Sequence, residues 1–128
     1  MPTEDYCSYE LSQLLKEKDF NVETITYYYC TSEYTKSKIY KSPNNTNWNN
    51  NEYYYSAPTH QMAMKWLREK YDLHILAYPY KANNENKWCC QVYKTFNLLG
   101  CEKYTNETLS SYEEAIEAAL KYSLENLI

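Results

Sequence analysis

Leucines at positions 11, 14 and 15 and a phenylalanine at 20, with Tyr9 ahead of them, recur at nearly helical spacing, and Gln13, Lys16 and Glu17 fill the opposite side. This pattern predicts a first helix over 8–20, with Ser8 placed to cap it. The spacing then changes. Residues 21–30 are dense in Val, Thr, Ile and Tyr, which favour strands, and alternation puts Ile25, Tyr27 and Tyr29 on one face and Thr24, Thr26 and Tyr28 on the other. Residues 32–40 read as a weaker second strand, diluted by Lys and Ser.

Between 41 and 52 the apolar content almost vanishes, and an asparagine-rich run with too little to bury predicts a mobile loop. Trp48 is the exception within it. Either it pins the loop to the core or it meets a partner, and the first is preferred because lone exposed tryptophans are uncommon.

A second helical stripe, Met62, Ala63, Trp66, Leu67 and Tyr71, leaves Met64, Lys65, Arg68 and Glu69 mostly off it. Pro58 suits its first turn, and Ser56 or Thr59 can cap it. Three strand segments follow at 73–80, 87–96 and 100–105, parted by the turn-rich 81–86 and the short 97–99. In the middle strand Trp88, Cys90, Val92 and Phe96 share the face expected to meet the helices, and Pro79 marks 73–80 as an edge strand or its end. Last comes a helix opened by the capping box Ser111-x-x-Glu114, with Tyr112, Ala115, Ile116, Ala119, Leu120, Leu124 and Leu127 on one face.

The expected fold is therefore a single α+β domain over 1–128, a small antiparallel sheet of three to five strands with helices packed on one face, its C-terminal half ordered helix-strand-strand-strand-helix. Double-stranded-RNA-binding domains have that order too. They grip phosphates with a basic cluster at the start of their second helix, where this chain reads Ser111-Tyr112-Glu113-Glu114, so the function does not carry over.

Charge points the same way. A net charge of -4 and a single arginine, Arg68, disfavour nucleic acid as a ligand. One glycine, Gly100, rules out the glycine-rich phosphate cradles of dinucleotide and P-loop proteins. No apolar run is long enough to span a membrane and the polar, acidic opening is unlike a secretory leader, so the expectation is a cytoplasmic protein with no membrane partner.

Five cysteines with no repeated spacing, Cys7, Cys30, Cys89, Cys90 and Cys101, predict reduced thiols and neither a disulfide framework nor a metal site. No catalytic signature occurs, and no cofactor is expected. A thiolate enzyme built from Cys89 or Cys101 with His74 or His60 finds no support in the spacing.

Seventeen tyrosines and thirteen asparagines stand out. A genome rich in A and T inflates Tyr, Asn, Lys and Ile while depleting Gly, Pro and Arg, and accounts for the composition without any functional demand. Tyrosine is also the residue of contact surfaces, because it offers rigid amphipathic area at low entropic cost. On that second reading the candidate binding residues are Tyr27, Tyr29, Trp48, Tyr53, Tyr54, Tyr55 and Trp88. Their partner is expected to be a host protein or a second copy of the chain. Alternatively Tyr27, Tyr29, Tyr53, Tyr55 and Trp88 stack on a nucleobase-like small molecule, with Lys36, Lys38 and Lys41 meeting its phosphate.

The run from Tyr55 to Thr59, the helix segment Met62 to Glu69, the closing Ser111 to Leu127 and the opening Ser8 to Lys18 together resemble uncharacterised small proteins of Bacteroides-type gut bacteria, their prophages and phages. Where that group leads one to expect a helix-ending glycine after Lys18, this chain has Asp19. The resemblance implies a phage or mobile-element setting; within that setting the expectation is a non-enzymatic accessory protein that acts by binding, with interference in host defence following from the setting. It transfers no catalytic residue and no cofactor.

Overall fold

The computed structural model describes residues 5–30, 38–94 and 109–128. It is an α+β protein whose strands form two small antiparallel sheets, of three and two strands. The chain divides into two compact units, Met1–Gln61 and Met62–Ile128.

In the first unit, helix α1 (Tyr9–Glu17) starts where Ser8, in an extended conformation, accepts a hydrogen bond from Leu11 N at 3.1 Å. It ends at Asp19, whose φ of 63° is left-handed; Phe20 N then donates to Leu15 O at 3.0 Å and Asp19 N to Lys16 O at 3.1 Å. The two bonds satisfy the last carbonyls of the helix, so an aspartate occupies the glycine position. Leu11, Leu15 and Phe20 are buried, and Ser12 shares their stripe.

Strand β1 (Thr24–Tyr29) lies between β2 (Tyr40–Thr46) and β3 (Tyr54–Ser56), antiparallel to both. Its buried face is Thr24, Thr26 and Tyr28, while Ile25 is 40% exposed. The inward polar groups are satisfied: Thr24 Oγ1 donates to Thr26 O at 2.7 Å, Thr26 Oγ1 to Ala57 O, and Tyr28 OH to Cys7 O at 2.8 Å. Helix α1 packs against β3. The segment before α1 closes the unit, with Cys7 N donating to Pro58 O at 2.9 Å and Tyr6 bridged to Thr59.

The segment 41–52 corrects one expectation. In place of a loop it carries most of β2 and a single 3-10 turn (Trp48–Asn50). Between Thr24↔Thr46 and Thr26↔Lys41 the register shifts, so residues 42–45 bow away from β1. The weaker strand expected over 32–40 lies largely outside the described residues.

The second unit holds α2, which spans His60–Tyr71 and so begins just before the boundary between the units. Ser56, offered as its cap, belongs to β3, and Pro58 precedes the first turn. Ala63, Met64, Trp66 and Leu67 are buried, which adds Met64 to the expected stripe. Strands β4 (Leu73–Ala82) and β5 (Glu85–Lys94) pair without interruption from Leu73↔Lys94 to Ala82↔Glu85. The two-residue turn between them is Asn83-Asn84, with φ of 52° and 64°, the conformation that matches strand twist and that asparagine tolerates. The turn is thus shorter than the expected 81–86.

Helix α3 (Tyr112–Asn126) packs on both strands. Its capping-box serine works as expected, accepting from Glu114 N at 3.1 Å. Ala115, Ile116, Ala119, Leu120 and Leu124 are buried together with Ser123, which returns its hydroxyl to Ala119 O at 2.8 Å. The strand expected over 100–105 lies outside the described residues.

Candidate functional site

Cross-strand register decides which tyrosines meet. Tyr28 pairs with Tyr55 on the face that α1 covers, and Tyr29 pairs with Tyr54 on the opposite, outer face of the same sheet. Tyr27, paired with Tyr40 across the other ladder, joins the outer face. Five rings cluster there. Tyr27 stacks on Trp48 at 4.2 Å between centroids and on Tyr40 at 5.6 Å, while Tyr54 lies 4.8 Å from Tyr29, 5.4 Å from Tyr27 and 5.6 Å from Trp48. All five are half-buried, so each keeps part of its ring toward solvent.

Trp48 is held firmly. Its Nε1 donates to Thr24 O at 2.8 Å, which bears out the pinning reading. Next to it, Asn49 donates through Nδ2 to Phe20 O at 2.8 Å and accepts from Ser56 N at 2.9 Å. A side-chain amide thereby occupies a backbone donor on the outer edge of β3, as another strand would.

Not every expected residue belongs to the cluster. Tyr55 sits on the helix side, with Tyr9 at 5.3 Å and the Lys16 ammonium 4.6 Å above its ring. Tyr53 is 54% exposed and makes none of the ring contacts that unite the cluster. Trp88 lies in the second unit, edge-on to Tyr112 at 5.7 Å. The five rings offered as a nucleobase stack therefore do not converge: Tyr55 and Tyr27 lie on opposite faces of one sheet. Of the three lysines assigned to phosphate, Lys36 is outside the described residues and Lys38 has its ammonium 5.7 Å from the centre of the Tyr40 ring.

Two participants carry no signal in the sequence. Tyr40 ends the weaker strand expected over 32–40, and no local pattern marks it as surface, because its contact comes from pairing with Tyr27 on β1. Lys16, read as solvent-facing, donates to the carbonyls of Asn51 at 2.6 Å, Tyr54 at 2.8 Å and Glu52 at 3.3 Å, using all three of its donors to fix the turn into β3. Burial lowers its pKa, with the Glu52 carboxylate opposing.

Beside Trp48 and Tyr54 an open groove of about 630 Å³ is lined by Glu23, Asn45, Asn50 and Asn51, all exposed. No lysine or arginine lines it. Its neighbour Asn47 is occupied with structure, its Oδ1 accepting from Asn49 N at 3.2 Å.

The cysteines offer no comparable geometry. Cys7, Cys89 and Cys90 are buried, and burial pushes the Cys90 thiol up to about 11. Cys89 pairs with Tyr78, four residues along β4 from His74, a separation of roughly 13 Å. His74 instead contacts the Asp72 carboxylate at 3.1 Å. Cys101 lies outside the described residues. Among the described residues no three His, Cys, Asp or Glu gather at a common point, and no helix is long and apolar enough to cross a membrane.

Comparison with family models, with curated proteins and with solved structures finds no match.

Proposed function

We propose that this chain acts by binding and not by catalysis, as a phage or prophage accessory protein whose partner is a host protein, and that the outer face of the three-stranded sheet is its contact surface. One observation carries the reading: Tyr27, Tyr29, Tyr40, Trp48 and Tyr54 form one continuous, half-exposed aromatic surface on the outer face of the sheet. Rings already fixed by one another lose little entropy on binding, and half-exposed Tyr and Trp are the side chains that dominate contact energy. The resemblance to small proteins of Bacteroides-type bacteria and their phages supplies the setting, and from it interference with host defence.

The test is capture from lysate of such a host by the wild-type chain and by the Tyr29→Ser, Tyr54→Ser double variant, both first shown to melt cooperatively. A partner held by the wild type and lost by the variant supports the surface. Equal capture by both removes it. Sedimentation of the isolated chain separates self-association from a foreign partner.

A second reading, a small-molecule binder, is favoured by the groove beside Trp48, whose volume is that of ordinary ligand sites.

A further inference from the structure

We propose that the groove formed by Trp48, Tyr54, Glu23, Asn45, Asn50 and Asn51 binds a neutral saccharide, a proposal that rests on the small-molecule reading and names its ligand class. The groove combines two kinds of wall. Trp48 and Tyr54 supply aromatic surface, and around it lie the exposed Glu23 carboxylate, the Asn45 amide and the Nδ2 groups of Asn50 and Asn51, whose Oδ1 atoms accept from Asn47 Nδ2 at 3.4 Å and from Tyr53 N at 3.2 Å. A pyranose has the matching halves. Its axial C–H groups, slightly positive, rest on the negative face of an aromatic ring, while its equatorial hydroxyls point outward in the ring plane. The Asn45 amide offers a donor and an acceptor side by side, Asn50 and Asn51 offer donors, and the Glu23 carboxylate accepts twice, a set that suits vicinal hydroxyls that each donate and accept.

Charge narrows the class. A nucleotide or any other phosphate ester would face the Glu23 carboxylate with no cation among the lining residues to oppose it. A neutral polyol meets no such repulsion, and hydroxyl donation to an ionised carboxylate is among the stronger hydrogen bonds available to it.

The platform is also organised in advance. The Nε1 bond to Thr24 O at 2.8 Å and the stack on Tyr27 at 4.2 Å fix the indole before any ligand arrives. Because the groove is open to solvent and does not enclose a ligand, one sugar unit buries little surface, and affinity should grow with the number of units.

The experiment titrates the full chain with neutral oligosaccharides of glucose, xylose, mannose and N-acetylglucosamine, following indole and backbone amide resonances by NMR, with adenosine and AMP alongside. The expected result is saturable binding of one series, Kd on the order of millimolar for its shortest members and tighter with length. It should shift the Trp48 indole and be weakened at least tenfold by Asn45→Ala, at an exposed position whose variant keeps the wild-type melting temperature. Tighter binding of adenosine or AMP than of any saccharide overturns the sugar assignment and leaves the small-molecule reading standing. No binding by any probe overturns both, while the protein-contact reading is judged separately by the Tyr29, Tyr54 capture experiment.

Discussion

Trp48 donates its indole N–H to the carbonyl of Thr24 across 24 residues of sequence, at 2.8 Å. Together with the β1–β2 ladder and the Asn49 bonds, this bond ties the asparagine-rich segment to the central strand of the sheet and sets the indole against Tyr27. The aromatic face and the groove therefore share one structural element, and both depend on a side chain that composition alone places in a loop.

Replacing Trp48 by Phe keeps a ring against Tyr27 but leaves the Thr24 carbonyl without its donor. The expected loss is about 1 kcal/mol, the net contribution of a hydrogen bond in a part-buried place that water can reach once the donor is gone. Trp48→Ala forfeits the packing as well and should lose more. Urea denaturation followed by circular dichroism measures both; a Phe variant as stable as wild type would show that the indole bond contributes nothing.

Helix ends and apolar stripes were legible in the sequence because their determinants are local: Ser8 caps a bond three residues away, and Ser111 does the same. Strand β2 was not. Its burial alternates weakly and then stops, so no apolar face announces it, and the partners that order its neighbourhood, Thr24, Phe20 and Ser56, lie far off or on another strand. Alternation separated the two faces of β1 correctly but gave no inward direction, since hydroxyl bonds let Thr24 and Thr26 go inside while Ile25 stays out. Of the seven candidate residues, cross-strand register puts Tyr29 and Tyr54 with Tyr27 on one face and Tyr55 on the other, the bond to Thr24 O brings Trp48 to the first, and Trp88 belongs to the other unit, a sorting that needs pairing information and not composition.

Asp19 holds φ of 63° at the end of α1, where a side chain brings steric cost that glycine does not have. Asp19→Gly should raise stability by a few tenths to about 1 kcal/mol, the relief of left-handed strain set against the greater entropy of an unfolded glycine. A thermal melt decides it. A lower midpoint would mean that the aspartate side chain makes a compensating interaction.

Tyr9 lies edge-on to both Tyr28 and Tyr55, at 5.7 and 5.3 Å. Burial, and after it hydrogen bonding with Cys30 and Tyr55, holds its phenol protonated above the ordinary 10.0. Between that value and the raised one the unfolded chain has released a proton that the folded chain keeps, so stability falls as pH rises. The contribution is complete below pH 10 and disappears across the window above it. Tyr9→Phe should therefore show a shallower alkaline arm in a plot of melting temperature against pH, while a slope equal to the wild type's would assign alkaline unfolding to other groups.

Glu114 behaves in the opposite sense at the start of α3. Its carboxylate accepts from Ser110 N at 2.8 Å and from Ser110 Oγ at 2.9 Å, and these bonds hold its pKa below the ordinary 4.5. A lowered carboxyl pKa contributes stability that is present above 4.5 and is lost as pH falls through the folded value. Glu114→Gln, which keeps the shape and removes the charge, should flatten the acid arm of the same profile and leave the alkaline arm as it was. Ser111→Ala acts on the neighbouring bond, the one from Glu114 N, and should cost about 1 kcal/mol at every pH, because a hydroxyl acceptor does not titrate. If instead the serine variant alone changed the acid arm, the proton-linked group would lie elsewhere than at Glu114.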